Sequence, residues 1–511
     1  MTTRHVAAAS GIALLLAGCG TTVPVSQQLA GGAQSTGDGG NGTTSTSGGA
    51  ADSTAGAVGG GTGGAGSTGG TGTPGSFAGG TGTTGTGGGS TGGTGSLPVG
   101  GVSATSISIG FIYTTGRAEA AAALGAAGVT SGDELAQWKL LVERVNKAGG
   151  LGGRTIKPVY FGESSTSGDS IATQETAACS AFTQDSHVAA ALSSFEYTDT
   201  FLTCMEKKGV PTYYSLETVN DTQSFAKAPL HAEASNLALD RQGRELGPSL
   251  VEQGYFTGTV PAVNGIITYD TPSYVRGAKA LESSLKAKGI AIKLTRPIPF
   301  PNATSDTSAT AAAISGAQLA MASNGVNHVM IFDLNGLLSL LFMTDSESQT
   351  YRPRYGLTSQ SSGSHLADLL KGNANNQLKD ARGIGWIPVL DLHTTEYGPN
   401  VGSPQRKTCR DIMVKGGQQQ GLSSPGAELV ALGQCDDLFL LQQAFSSLTG
   451  PVSGTAIRQA VEGVGTRFAT AQSFSTRFGP GRHDGISSYR DMGYVTDCSC
   501  FRYTSPLKAT S

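Results

Sequence analysis

The sequence has no surplus of cations, no second long apolar run and no compact catalytic signature in its folded part. Lys and Arg number 34 against 37 Asp and Glu, a formal net charge of −3, and no basic stripe stands out. Nucleic acid is therefore not an expected partner. After residue 20 no uninterrupted apolar run approaches the ~18–20 residues that a spanning helix needs, so the folded part is expected to be soluble. From residue 104 onward there is no Gly-x-Ser-x-Gly elbow, no His-Glu-x-x-His and no Gly-x-x-x-x-Gly-Lys-Ser/Thr loop. The seven histidines are scattered without metal-like spacing. Paired carboxylates distant in sequence stay open, but the expectation is a protein that is not an enzyme, with no cofactor and no metal.

What is present starts with an export signal and a tether. Arg4 precedes the apolar stretch Gly11 to Leu16, a compact secretory signal. Leu16, Ala17, Gly18 and Cys19 follow, and this box resembles that of bacterial lipoproteins. The resemblance implies a signal peptide over 1–18 and a diacylglycerol on Cys19, hence a membrane lipid anchor; a plain signal peptide with a chance cysteine is the alternative. From Gly31 to about Gly100 the chain is almost wholly Gly, Ser, Thr and Ala. It has too few large apolar side chains to offset backbone ordering, so 19–103 reads as a disordered linker. Roughly 75–80 such residues have an r.m.s. reach of about 45–50 Å.

Removing Cys19 leaves six cysteines in an exported chain, and disulfides are expected. Six allow 15 pairings, and spacing suggests one. Cys179 and Cys204 are 25 residues apart, Cys409 and Cys435 are 26 apart, and Cys498 and Cys500 form a Cys-x-Cys. A metal at Cys498 and Cys500 is the rival reading, without a second close cysteine pair to support it.

Strands and helices alternate beyond residue 104. "ISIGFIYT" is rich in β-branched residues and reads as a buried parallel strand. In "SGDELAQWKLLVERVNKAGG", Ser131 or Asp133 can cap a helix with a stripe of Leu135, Leu141, Val142 and Val145, and Gly149 and Gly150 stop it. Three more strands follow, ending in "VPTYYSL". From "GIITYDT" the alternation begins again and runs through "VNHVMIFDLN" to "RPRYGLTS". "ARGIGWIPVL", the long helix "PGAELVALGQCDDLFLLQQAFSSL" and "YRDMGYVTDCSCFRY" are expected to complete both sheets. The fold class is α/β, with two similar lobes that are each a parallel-sheet sandwich.

The segment "DELAQWKLLVERVNKAGGLGGRTIKPVYFGES" resembles the opening of type 1 periplasmic binding proteins of the leucine/isoleucine/valine-binding family, with the turn at Asn146, Gly149, Gly150, Gly153 and Arg154. "GVPTYYSLET" and "ITYDTPSYVRGAKALESSLKAKGIAI" are similar to later family segments, and the match runs in order over roughly 106–503. The resemblance implies two lobes joined by three crossovers, near His231, Ile387 to Leu392 and Phe474. Lobe 1 would be 104–231 plus 391–474, lobe 2 would be 232–390 plus 475–503, and 504–511 a tail. It also implies a monomer that closes on a small-molecule ligand, an amino acid or amide-like solute, and passes it to ABC permease subunits outside the cytoplasm. A ligand-sensing receptor lipoprotein feeding a signalling partner is the alternative, and a surface protein without ligand is a third class.

In open α/β sheets ligands sit beyond the carboxyl ends of the strands. That rule selects Tyr113 and Thr114 after the first strand, and Ser193, Ser194, Phe195, Glu196 and Tyr197 after the third. It selects Glu217 and Thr218 after the fourth and, in the second series, Tyr269, Asp270, Asp333, Asn335 and Gln360. Hydroxyls and helix N-termini suit a carboxylate, acids suit an ammonium, and aromatics wall in the rest. In the family's amino-acid binders, hydroxyls that Ser194 and Thr218 match grip the carboxylate and amine. Their lobe-2 acid falls at Gln360; either Glu196, Glu217 or Asp270 substitutes for it, or the ligand is not an amino acid, since the family also includes binders of amides, ureas and aromatic acids. Trp138 is expected to be a packing residue, and His483 structural or exposed.

Overall fold

The computed structural model describes residues 100–119, 131–194, 198–216, 218–301, 306–334, 336–371 and 375–511. Cys19, the signal and nearly all of the linker lie outside them. Among the described residues no helix is long and apolar enough to cross a membrane.

The chain opens with β1 (Ser106–Thr115), α1 (Glu134–Lys147), β2 (Thr155–Ser164), α2 (Ile171–Ser180), β3 (Ala190–Ser193), α3 (Asp199–Lys207), β4 (Thr212–Tyr214), α4 (Thr222–Lys227) and β5 (His231–Ala232). The strands form a parallel sheet in the order β2-β1-β3-β4-β5. Asp133 supplies the α1 cap, accepting from Ala136 N at 2.9 Å. The turn that ends α1 has two locks. Asn146 exchanges side-chain bonds with the Ile156 backbone at 2.7 and 3.1 Å. Gly150 sits at φ 73°, where a Cβ would lie 1.9 Å from Arg154 O, so only glycine fits.

The second series is α5 (Leu239–Glu252), β6 (Asn264–Tyr269), α6 (Pro272–Lys286), β7 (Ile292–Ile298), α7 (Thr307–Ser323), β8 (His328–Ile331), α8 (Leu337–Ser348), β9 (Arg354–Thr358), α9 (Gly363–Leu370), β10 (Arg382–Gly385) and the single turn α10 (Pro388–Asp391). Helices α11 (Pro404–Lys415), α12 (Pro425–Ser447) and α13 (Gly454–Glu462) follow. Helix α12 packs on β3, β4 and α1, so the chain has returned to the first sheet. It then crosses again to add β11 (Ser488–Val495), β12 (Cys500–Tyr503) and β13 (Lys508–Ala509) to the second. That sheet has the order β12-β11-β10-β9-β8-β6-β7, parallel up to β10, with β11 and β12 antiparallel and β13 paired to β11.

Two local details differ from the sequence reading. In "ARGIGWIPVL" the strand stops at Gly385, because Pro388 at a first helical turn and Asp391, which accepts from Ile387 N at 3.1 Å, wind the remainder into α10. The last residues, expected as a tail, form β13, and Ser511 N bonds Glu245 at 2.6 Å.

One face of the first sheet packs under α1, α12 and α13. Trp138 is fully buried there, 4.9 Å from the Phe111 ring, with its indole N–H on Ile112 O at 3.1 Å. The other face, with Phe182 and Phe201, belongs to an apolar cluster that continues into Ile266, Val329, Tyr355 and Met492 of the second half. Disulfides join Cys179 on α2 to Cys204 on α3, Cys409 on α11 to Cys435 on α12, and Cys498 to Cys500 in the β11–β12 turn, with Cα separations of 6.4, 6.1 and 5.1 Å. His483 is buried, with Nε2 3.0 Å from Glu462.

Candidate functional site

Strand register decides which residues share a rim. Ile112 pairs with Ser193, and Ser193 with Tyr214. Ser194 and Ser215 therefore leave the first sheet at one level, whereas Tyr113 and Thr114, expected after the first strand, lie within β1, which stays paired with β2 to Thr115. In the second sheet Met330 pairs with Gly356 and Ile384 with Thr358, so β8 ends at Ile331 and β9 one residue further on at Thr358, and Phe332 and Ser359 leave it within one residue of each other.

Three of the expected site residues, Gln360, Thr218 and Asp333, meet where the halves touch. Gln360 Nε2 donates to Thr218 O at 2.9 Å and to Asp333 O at 3.0 Å. Its Oε1 accepts from Gln242 Nε2. Gln360 thus ties the β4 rim to the β8 rim, and its amide is spent within the protein. Thr218 Oγ1 accepts from Asn220 N at 2.9 Å. Ser194 Oγ accepts from Gln434 Nε2 at 2.6 Å. Nearby, Ser273 Oγ donates to Val219 O at 2.6 Å and Arg276 pairs with Asp221, with Nη2–Oδ1 at 2.9 Å, adding to the contact between halves.

The other described candidates have local partners. Thr114 belongs to a buried network at the start of α1. Its N–H donates to Glu134 Oε2 at 2.9 Å, its Oγ1 accepts from Arg117 at 3.0 Å, and Arg117 Nε meets Glu134 Oε1 at 3.0 Å. Tyr113 lies half-buried over Gly162. Ser193 is buried. Tyr269 is buried against the Tyr274 and Phe300 rings, at 5.2 and 5.1 Å. Asp270 is exposed and accepts from Phe300 N at 3.0 Å. The Asp333 carboxylate caps α8, accepting from Leu334, Leu338 and Ser339 N at 2.8, 3.0 and 2.8 Å; burial pushes its pKa up to about 6. Phe195, Glu196, Tyr197, Glu217 and Asn335 lie outside the described residues.

Sequence reading missed the residues that α12 brings to this rim. Gln434 and Asp437 are three apart on one helix face. Asp437 Oδ1 accepts from Ser215 Oγ, and Gln472 Nε2 donates to Ser215 O. Helix α12 comes this close because Gly433 has no side chain: a Cβ there would lie 2.7 Å from Leu216 Cδ2 and 3.2 Å from Ser215 O. Asp436 turns to the crossovers, accepting from Ser235 Oγ at 2.5 Å and from Thr470 Oγ1 and Ala471 N, each at 2.6 Å. On the opposite rim Asp391 Oδ2 accepts from Ser359 Oγ, Ile387 N and Tyr503 OH at 3.1, 3.1 and 2.6 Å. Burial pushes the Asp391 carboxyl up to about 7, Asp436 up to about 6 and Asp437 well above the usual range. The available signal was "LVALGQCDDLFLL", where polar residues interrupt an apolar helix.

No protein-family model and no curated protein matches the sequence. Solved structures do. An ABC-transporter solute-binding protein from R. palustris, in complex with 4-hydroxybenzoate, is 14% identical with a TM-score of 0.56, covering 79% of this chain and 97% of that one. An ABC-transporter substrate-binding protein from Desulfitobacterium hafniense, in complex with Leu, is 14% identical with a TM-score of 0.52, covering 78% and 99%. A type 1 periplasmic binding protein from Bordetella pertussis is 13% identical with a TM-score of 0.55, covering 79% and 99%.

Proposed function

From the premise that the chain has the fold of type 1 periplasmic binding proteins, we propose that it is an extracytoplasmic solute-binding protein capturing a small polar molecule between its two halves for an ABC importer. The observation that carries this reading is the meeting of two parallel-sheet rims, with Thr218 O of the first 2.9 Å from Gln360 Nε2 of the second. Rims of this kind gather hydroxyls, helix ends and buried acids around a solute without supplying a reacting group. No enzymatic step is needed for capture.

The lobes of this proposal are 104–231 plus 391–474 and 232–390 plus 475–503, closing about three crossovers. A solute that touches both rims favours the closed form by the contacts it makes only there. The Cys19 diacylglycerol holds the monomer at the membrane, since two acyl chains give stable anchoring. The Gly-rich linker lets it meet permease subunits at the surface. Candidate contacts are those named on the rims, including Phe195, Glu196, Tyr197, Glu217 and Asn335.

The test is a melting screen of the purified chain against a library of amino acids, amides and aromatic acids. A bound solute at 100 times its Kd raises stability by ~2.7 kcal/mol, a resolvable shift. Scattering on the hit should show compaction. A screen with no shift and no compaction refutes capture.

A further inference from the structure

We propose that the Cys498–Cys500 disulfide is a thiol–disulfide exchange site, opened by a dithiol while the Cys179–Cys204 and Cys409–Cys435 bonds stay closed. The inference is independent of solute capture and assigns the chain a redox reaction at its surface.

The three bonds do different work. Cys179–Cys204 and Cys409–Cys435 each staple two helices, α2 to α3 and α11 to α12, and Cys179, Cys409 and Cys435 are fully buried. Cys498–Cys500 links residues 2 apart within a single hairpin. That hairpin is already closed by its own ladder, with Val495 paired to Cys500, Tyr494 to Phe501 and Gly493 to Arg502. Strand β12 is held further by the buried Phe501 ring, by Tyr503 OH on Asp391 at 2.6 Å and by Arg502 on Glu396 at 2.7 Å. Cutting the bond therefore leaves the strand in place. Ser499, between the two cysteines, sits at φ 51°, a left-handed conformation that is costly for a residue with a side chain. The closed ring does not rest on a relaxed turn.

Access and linkage single out the same bond. Cys498 is exposed and Cys500 is buried, so an incoming thiolate meets Cys498 Sγ first. Folding protects a disulfide from reduction by as much as that disulfide stabilises the fold. In the chain-entropy model a bond between cysteines 2 apart adds least, so folding protects this one least. The exchange runs in two steps. One thiolate of the dithiol attacks Cys498 Sγ and forms a mixed disulfide; the Cys498–Cys500 bond breaks, and Cys500 leaves with the electron pair and takes up a proton. The second thiolate of the dithiol then attacks its partner sulfur in the mixed bond, and Cys498 leaves as a thiol. The dithiol ends as a disulfide and the chain as a dithiol, with two electrons and two protons transferred.

The experiment equilibrates the full native chain in buffers of graded reduced to oxidised dithiothreitol, traps free thiols with N-ethylmaleimide and locates them by peptide mass spectrometry. Cys498 and Cys500 should be labelled at a ratio about 10-fold or more below the one that opens either other bond. The chain reduced at this pair alone should still unfold in one cooperative urea transition. With oxidised glutathione, Cys500→Ser should hold a stable adduct on Cys498, because the thiol that resolves it is gone. Cys498→Ser should react about 10-fold or more slowly, because Cys500 is buried. Opening of all three bonds at one ratio, opening of this pair last, equal rates in the two variants or loss of the cooperative transition would each overturn the inference. So would a pair that stays unbonded in oxidised glutathione. Every one of these outcomes leaves solute capture standing.

Discussion

In the first half the buried acids Asp436 and Asp437 lie in the middle of a long helix, whereas in the second half Asp333 follows strand β8 and Asp391 closes the single turn α10. Asp437 and Gln434 on α12, and Gln472 beyond it, keep acceptor oxygens unspent, whereas Asp333 gives its carboxylate to N–H groups at the start of α8 and Gln360 spends its amide on backbone and Gln242. The two sheets share a strand order, yet in the second half Asp333 and Gln360 are spent on capping and on contact between the halves. A polar residue after a strand is as easily a cap as a contact, so position on the rim does not assign a role.

The comparison can be broken first at Asp436. Asp436→Ala strands the buried donors of Ser235, Thr470 and Ala471. It should cost about 3–5 kcal/mol in urea unfolding, each orphaned donor counting ~1–3. A loss under 1 kcal/mol would show that α12 is not tied to the crossovers. The disulfides sharpen the contrast between halves. In the chain-entropy model the two in the first half, joining cysteines 25 and 26 residues apart, are worth about 3.5 kcal/mol each against about 1.2 for Cys498–Cys500, 2 apart. Serine pairs at each site, compared by thermal melting, should keep that order. Asp333→Ala should cost about 2 kcal/mol through the lost α8 cap, while solute affinity stays within a few-fold; a large affinity loss with normal stability would return Asp333 to the contact set.

The smallest effect is in pH dependence. The Asp391 carboxyl, raised from 3.8 to about 7 by burial, favours the folded state in its protonated form. Its contribution is fully present below the unfolded value and is lost as pH rises through about 7. Asp391→Asn should therefore flatten the fall in stability between about pH 4 and 7, read as melting temperature against pH. An unchanged slope would mean that other groups carry it.

Much of the fold was legible because it rests on local chemistry. The β-branched run of β1, the Asp133 cap and the Gly149–Gly150 stop each determine structure within a few residues. Cysteine spacing likewise paired neighbouring helices, since helices flanking adjacent parallel strands lie side by side. The candidate site was only half legible. Ser194, Thr218 and Gln360 follow strands, where a topological rule finds them. Gln434, Asp437 and Gln472 reach the rim across more than 200 residues of sequence from Ser194 and Ser215. Loop rules give no weight to the middle of a helix, and the partner that makes Asp437 a rim residue is set only by tertiary packing at Gly433.

The most direct measurement is the mass of the purified chain under native and denaturing conditions, after incubation with an extract of small polar metabolites. Capture predicts a native species heavier than the denatured one by a single small organic molecule, present once per chain and lost on unfolding. Identical masses in both conditions, at solute concentrations that saturate the structural relatives, would contradict it.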